Sequence, residues 1–274
     1  MLKDMTLGQF FPGNSILHRL DARVKIILTI LYIVTIFLAK NELCFALLLL
    51  SSVLLVALSR LSLRVILKGL KPVLFVLLFT MLLNLFFTKG ETLLFKFYFI
   101  EMYLEGVVRA VKMMLRVVVL IVGTSVLLTY TTSPIVLTDA IESLLSPLKK
   151  IRVPVHDFAM MMTIALRFIP TLVEETDKII NAQKSRGADF DSGGLLSRAR
   201  ALVPVLIPLF VSSFNRADEL AVAMECRCYR GDVGRTRYVK MKAHARDAVA
   251  FLLFCAFLAL IVVGNMHFPY YFPV

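Results

Sequence analysis

Apolar residues are gathered along this chain into runs, at Ile26 to Ala39, Leu43 to Leu58, Val73 to Phe87, Val117 to Tyr130 and Ala248 to Val263. Each is somewhat shorter than the roughly 20 helical residues that cross about 30 Å of hydrocarbon. Lysine and arginine stems flanking the runs can snorkel and extend each by a turn. The pattern predicts five membrane spans. Leu93 to Leu104 reads as an interfacial or partly inserted helix, and a sixth span there stays open.

A different pattern occupies Ser133 to Arg246, where charges recur every few residues among leucine, valine and isoleucine. That is the signature of amphipathic helices packed on one another or lying at a membrane interface. The first runs from about Pro134 to Lys150, with proline suited to its first turn and Lys149, Lys150 and Arg152 opposing the helix dipole at its end. The second runs from near Pro154 to Gly187, and the third from about Leu195 to Gly231. These two share a plan: apolar early, charged late, with internal prolines (Pro170 in one, Pro204 and Pro208 in the other) expected to kink them. Each ends in an arginine between small residues, Ser185-Arg186-Gly187 and Cys226-Arg227-Cys228, with a glycine at or just past the end to stop it. An uninterrupted helix from Val155 to Arg186 would measure on the order of 45 Å. The expected fold is an all-α integral membrane protein with about five transmembrane helices plus long cytoplasmic helices. Its regions are 1–133, 134–246 and 247–274.

Composition agrees with this picture. Residues of the hydrophobic class make up 59% of the chain, and a mean hydropathy of +0.81 is more than a soluble surface accommodates. The net charge of +12 would suggest nucleic acid in a soluble protein. In a membrane protein it reads instead as the excess of lysine and arginine that marks cytoplasmic loops. The first residues lack the pattern of a signal peptide and end in Arg23 and Lys25 just before the first apolar run, which places the N-terminus in the cytoplasm. Arg60, Arg64, Lys68 and Lys71, with no acidic residue between them, place the second loop there too. The Lys40-Asn41-Glu42 turn, the segment around Lys89, Glu91 and Glu101, and the C-terminal tail then lie outside. Arg109, Lys112 and Arg116 approach one helical face before the fourth run. They read as an interfacial helix start, with an intramembrane functional cation as the sharper alternative.

Candidate chemistry is sparse. No GxxxxGK[ST] loop, GxSxG elbow or HExxH helix occurs. Asp218 and Glu219 are adjacent and do not converge on a helix. Glu174, Glu175 and Asp177 form an acidic group without a matching second cluster, so an intramembrane enzyme finds little support and no catalytic residue is assigned. A self-contained carrier or channel would place polar groups near the bilayer midplane, where only Asn84, Gly123, Thr124 and Ser125 interrupt the apolar runs. Cys44, Cys226, Cys228 and Cys255 form no disulfide framework. A CxC pair with only His244 within reach along the sequence is weak evidence for a metal, and none is expected. The basic run Arg230, Arg235, Arg237, Lys240, Lys242 and Arg246 reads as the anchor of the last span, in contact with anionic lipid. The guanidinium of Arg186 and of Arg227 suits bidentate pairing with a carboxylate in a partner's groove. On the residues alone, docking contacts and solvated charges at helix ends both stay open.

The segments ALRFIPTLVEETDKIINAQKSRGADF and AMECRCYRGDVGRTRY, with the opening PGNSILHRLDARVK, resemble the transmembrane coupling (T) component of energy-coupling-factor transporters. The similarity extends over essentially the whole chain. The resemblance implies a non-catalytic subunit of an ATP-driven importer of vitamins or metal ions in a prokaryotic cell membrane. It implies two long coupling helices that cross as an X, whose small-Arg-small tips dock on two ABC-type ATPase subunits. Those partners would carry the ATP and magnesium, with no cofactor in this chain. A separate substrate-binding membrane protein, the S component, would receive the motion. By position the docking residues would be Ser185, Arg186, Gly187, Cys226, Arg227 and Cys228. The family usually has alanine where Ser185 and Cys226 stand.

Overall fold

Asp21 starts the first helix by accepting the backbone N–H of Arg23 on its carboxylate at 2.9 Å, the N-cap bond that satisfies one of the orphan donors of a first turn. The helix it opens, α1, is Ala22–Leu38. After the Lys40-Asn41-Glu42 turn come α2 (Glu42–Ser59), α3 (Leu63–Leu70), a 3₁₀ turn at Lys71–Val73 and α4 (Leu74–Phe87). A hairpin of β1 (Leu93–Phe97) and β2 (Ile100–Tyr103) pairs antiparallel, with Leu93 facing Tyr103 and Phe97 facing Ile100. Beyond it lie α5 (Leu104–Thr124), a π turn at Ser125–Thr129, α6 (Pro134–Leu145) and a 3₁₀ turn at Ser146–Ile151. The chain continues through α7 (Val155–Ser185) and α8 (Leu195–Cys226) to α9 (Ala245–His267). The computed structural model describes residues 10–87, 92–97, 100–188, 190, 194–231, 241 and 244–267. Lys89, Glu91, Arg235, Arg237, Lys240 and Lys242, on which part of the charge argument rests, lie outside the described residues.

By internal contacts the chain forms two units, one of Gln9–Ser133 with Met241–Val274, the other containing Pro134–Lys240. In the first, the buried core is Tyr32, Ile36, Cys44, Leu48, Val119, Val126, Leu127, Tyr130 and Ile261, drawn from α1, α2, α5, the turn after it and α9. Gly123 makes this packing possible, because a Cβ there would overlap the ring of Tyr32. Exposed leucines, valines and phenylalanines cover the outer faces of α2, α4 and α9, as expected where the surroundings are lipid and not water.

Two polar belts bracket this core. At one end the carboxylate of Asp247, 3% exposed, accepts the N–H of Asp21 at 2.8 Å and that of His244 at 2.8 Å; the latter is half of a capping box for α9. Arg23 donates to the Met241 carbonyl at 2.8 Å. The buried Lys25 ammonium donates to Thr131 O at 2.9 Å and Thr132 Oγ1 at 3.1 Å. At the other end Asn265 donates to Leu38 O at 2.7 Å, and Asn41 donates to Gly264 O at 3.0 Å. Helices α1 and α9 thus start together and end together, running the same way.

Among the described residues four helices are long and apolar enough to cross a membrane: Glu42–Ser59, Leu63–Leu85, Leu104–Thr129 and Ala245–His267. The remaining expected span, α1, has 17 residues, about 26 Å of helix, and reaches from one belt to the other beside α9. Two sequence expectations need correction. Leu93 to Leu104 is mainly a hairpin and not a helix, in keeping with its aromatic content, which favours strands. The fourth span does not begin near Val117, since the helix already starts at Leu104. Its first turns carry the cations that ended the apolar run in the sequence, and these have partners at the level of the α1–α2 turn. Arg116 donates to Ala39 O at 3.0 Å and stands over the Phe45 ring, 5.1 Å from its centroid. Lys112 pairs with Glu42 at 3.5 Å. Both fit the interfacial reading of these cations.

Candidate functional site

In the second unit, α7 and α8 are 31 and 32 residues long. Their early turns are apolar and their late turns charged, as the sequence pattern requires. Helix α7 continues through Pro170, and α8 through Pro204 and Pro208. Proline lacks an N–H, so Pro208 leaves the carbonyl four residues earlier without its helical donor. That carbonyl belongs to Pro204, and the Gln183 side chain of α7 donates to it at 3.4 Å. The spacing of the two prolines therefore produces a handle between helices, which the expectation of kinks did not include.

A second bridge fixes direction. Arg216 of α8 donates to Glu175 of α7 at 3.0 Å, with both side chains about one-third exposed or less. Moving up α7 from Glu175 to Gln183 moves the contact back along α8 from Arg216 to Pro204, so the helices are antiparallel. Arg186 lies one turn beyond Gln183 and Arg227 three turns beyond Arg216, which puts the two tips at opposite ends of the pair. At 1.5 Å per residue they are separated by on the order of 35 Å along the axis.

The two tips have the same backbone. Arg186 ends α7 with φ −87° and ψ 5°, and Arg227 ends α8 with φ −91° and ψ 15°. The next residue is left-handed in both, Gly187 at φ 87° and Cys228 at φ 57°. At the first tip Gly187 N donates to Lys184 O and Ala188 N to Gln183 O, each at 3.0 Å. At the second, Cys228 N donates to Glu225 O at 2.8 Å and Tyr229 N to Met224 O at 3.1 Å. Both are Schellman caps with arginine as the last residue. Arg186, Gly187, Arg227, Cys226 and Cys228 are exposed, as is Ser185, whose hydroxyl donates back to Asn181 O at 3.1 Å. The structure thus brings each predicted triplet into one cap and keeps the two triplets apart. One detail differs from the sequence reading: the left-handed residue ending α8 is Cys228, while Gly231, also left-handed at φ 72°, lies three residues further on.

The surroundings of the tips differ. Arg227 and Cys228 border an open cavity of about 670 Å³ whose opposite wall includes Glu142 of α6 and His156 and Met160 of α7. His156 Nδ1 lies 3.0 Å from the nearly buried Glu142 carboxylate. At the other tip a Cβ on Gly187 would meet nothing within 4 Å. Sequence reasoning missed the Glu142–His156 and Glu175–Arg216 pairs. In the sequence Glu175 belongs to an acidic stretch, and nothing local there indicates a partner 41 residues away. Among the described residues there is no group of three or more His, Cys, Asp or Glu that could hold a metal ion.

Residues 13–238 match the family model described as "Cobalt transport protein". The chain is 52% identical over 263 residues to the energy-coupling factor transporter transmembrane protein EcfT of Ruminiclostridium cellulolyticum, covering 96% of this chain and 98% of the relative. It is 53% identical over 253 residues to the protein of the same name from Clostridium kluyveri, covering 92% and 93%. Against that of Bacillus subtilis it is 49% identical over 247 residues, covering 90% and 93%. The chain belongs to this family of energy-coupling factor transporter transmembrane proteins, and it is a multi-pass membrane component of such a transporter.

Proposed function

We propose that this subunit couples two ABC-type ATPases to a substrate-binding S component, with Arg186 and Arg227 as its two docking contacts. The observation that carries this reading is the repetition of one arginine-ended cap at opposite ends of an antiparallel pair. A separation on the order of 35 Å gives each tip room for its own globular partner. Each cap presents a guanidinium fork suited to a carboxylate pair. Small side chains at Ser185, Gly187, Cys226 and Cys228 leave the helix end narrow enough to enter a groove.

ATP and magnesium belong to the ATPases, and this chain contributes no catalytic group and no cofactor of its own. Closure of the ATPases pulls on the two tips, and the bridges Glu175–Arg216 and Gln183–Pro204 make α7 and α8 respond together. The motion passes to the S component, which brings in a vitamin or metal ion. In the prokaryotic cell membrane the N-terminus is cytoplasmic, as the charges at Arg23, Lys25, Arg60, Arg64, Lys68 and Lys71 favour. The test is copurification of the tagged subunit with its ATPases. Replacing Arg186 and Arg227 together with alanine should abolish it while the chain still inserts in the membrane. Undiminished recovery of both ATPases with the double variant would overturn the assignment.

A further inference from the structure

In the first unit an open groove of about 560 Å³ runs between the α3–α4 segment and α5. Leu77, 6% exposed, forms part of its floor, Met114 and Val118 of α5 form one wall, and Leu67, Leu74 and Leu78 form the other. Among the described residues that line it, Lys68 and Lys71 are the polar ones, both exposed and both at its α3 end. No aspartate or glutamate occurs from Arg60 to Phe87, while Arg60, Arg64, Lys68 and Lys71 all do. Among the described residues neither groove lysine has an ion-pair partner.

We propose that this groove is a binding site for one anionic phospholipid, with an acyl chain along Leu74, Leu77, Leu78 and Val118 and the headgroup phosphate at Lys68 and Lys71. From Lys71 to Leu78 the groove runs on the order of 10 Å, which seats the upper part of one acyl chain below the headgroup. A helix from another protein would cover the apolar walls equally well, but it would leave two unpaired ammonium groups at the mouth unless it carried acids there. A phosphate satisfies them directly, and a basic pocket between membrane helices is a recognised headgroup site. Helix α3 supports this geometry: its close approach to the rest of the unit depends on Gly69, where a Cβ would overlap the Tyr130 hydroxyl. The short helix is thereby held in place with its lysines beside the groove.

The chain contains no tryptophan, so a Leu78→Trp variant of the full chain carries a single reporter in the groove. It would be reconstituted in phosphatidylcholine bilayers containing either phosphatidylglycerol or phosphatidylcholine with brominated acyl chains, and the fluorescence quenching measured. Brominated phosphatidylglycerol should quench at a mole fraction about tenfold lower, given the attraction of two near-surface lysines. Adding Lys68→Gln and Lys71→Gln should make the two lipids equal, whereas Arg64→Gln, outside the groove, should leave the preference intact. Equal quenching by both lipids with the lysines present would mean bulk lipid only and would overturn the proposal. Protection from both lipids would mean that a protein segment occupies the groove, and would overturn it too. Should Leu78→Trp fail to insert, Val118→Trp provides the same readout from the other wall.

Discussion

Gly187 and Cys228 hold the same place in two caps, each the first residue past an arginine that ends a long helix, with φ 87° and 57° respectively. The equivalence explains the second small residue of each triplet by backbone geometry as well as by fit to a groove. A left-handed residue other than glycine carries a penalty of about 1 kcal/mol, and Cys228 bears it. Cys228→Gly should therefore raise stability slightly, by a degree or two in thermal unfolding of the detergent-solubilised protein, with ATPase recovery unchanged. Gly187→Val should lower it, although open space surrounds the position, because the strain lies in the backbone. A destabilised Cys228→Gly variant would show that the cysteine side chain contributes more than its backbone costs.

The bridge between Arg216 and Glu175 is partly exposed, so solvent screens it, and a coupling energy of about 0.5 to 1 kcal/mol is expected. A double-mutant cycle of Glu175→Gln and Arg216→Met, read by denaturant unfolding, measures that value. The same variants should reduce transport more than they reduce ATPase copurification, because the tips remain while the helices lose one of their ties. Equal loss of both would place the bridge in docking and not in transmission.

Much of this architecture is legible in the sequence, and the exceptions have specific causes. Apolar runs locate α1, α2, α4 and α9 because burial in lipid depends on local composition. The two long helices and their arginine ends follow from periodicity and from prolines tolerated within it. The start of α5 escaped because Lys112 and Arg116 break the apolar run, and their partners Glu42 and Ala39 are some 70 residues away along the chain. The hairpin at Leu93–Tyr103 escaped because a short apolar stretch fits helix and strand equally until pairing decides. Cys228 is not legible as a helix stop because glycine is the expected left-handed residue, and Gly231 stands nearby. The arginine triplets themselves were visible, but their placement at opposite ends of an antiparallel pair depends on contacts between helices.

Gly123 faces Tyr32, a fully buried side chain in the centre of the first unit. Adding a methyl group there forces the ring out of place, an overpacking cost of about 1 to 3 kcal/mol. Gly123→Ala should therefore give a marked loss of monodisperse protein in size-exclusion chromatography. Shrinking the opposing residue with Tyr32→Leu should restore part of that yield in the double variant. Tyr32→Leu alone should also lower it, by leaving a cavity. If Gly123→Ala folds as well as the parent, the close approach of α1 and α5 at this point is looser than described.

The belt contacts make a topological prediction independent of any partner. Asp247 holds the start of α1 to the start of α9, and Asn265 holds their ends together, so Asn14, before α1, and Met266, at the end of α9, belong to opposite faces of the membrane. In a variant with Cys44, Cys226, Cys228 and Cys255 replaced, single cysteines at Asn14 and Met266, both exposed, would report this through a membrane-impermeant thiol reagent. With intact cells, the cysteine at 266 should react and the one at 14 should react only after permeabilisation, following the charge rule for the cytoplasmic face. The reverse pattern would invert the whole protein while leaving the parallel pair intact. Labelling of both positions from one side would require α1 and α9 to run in opposite directions, which the bonds at their two ends do not allow.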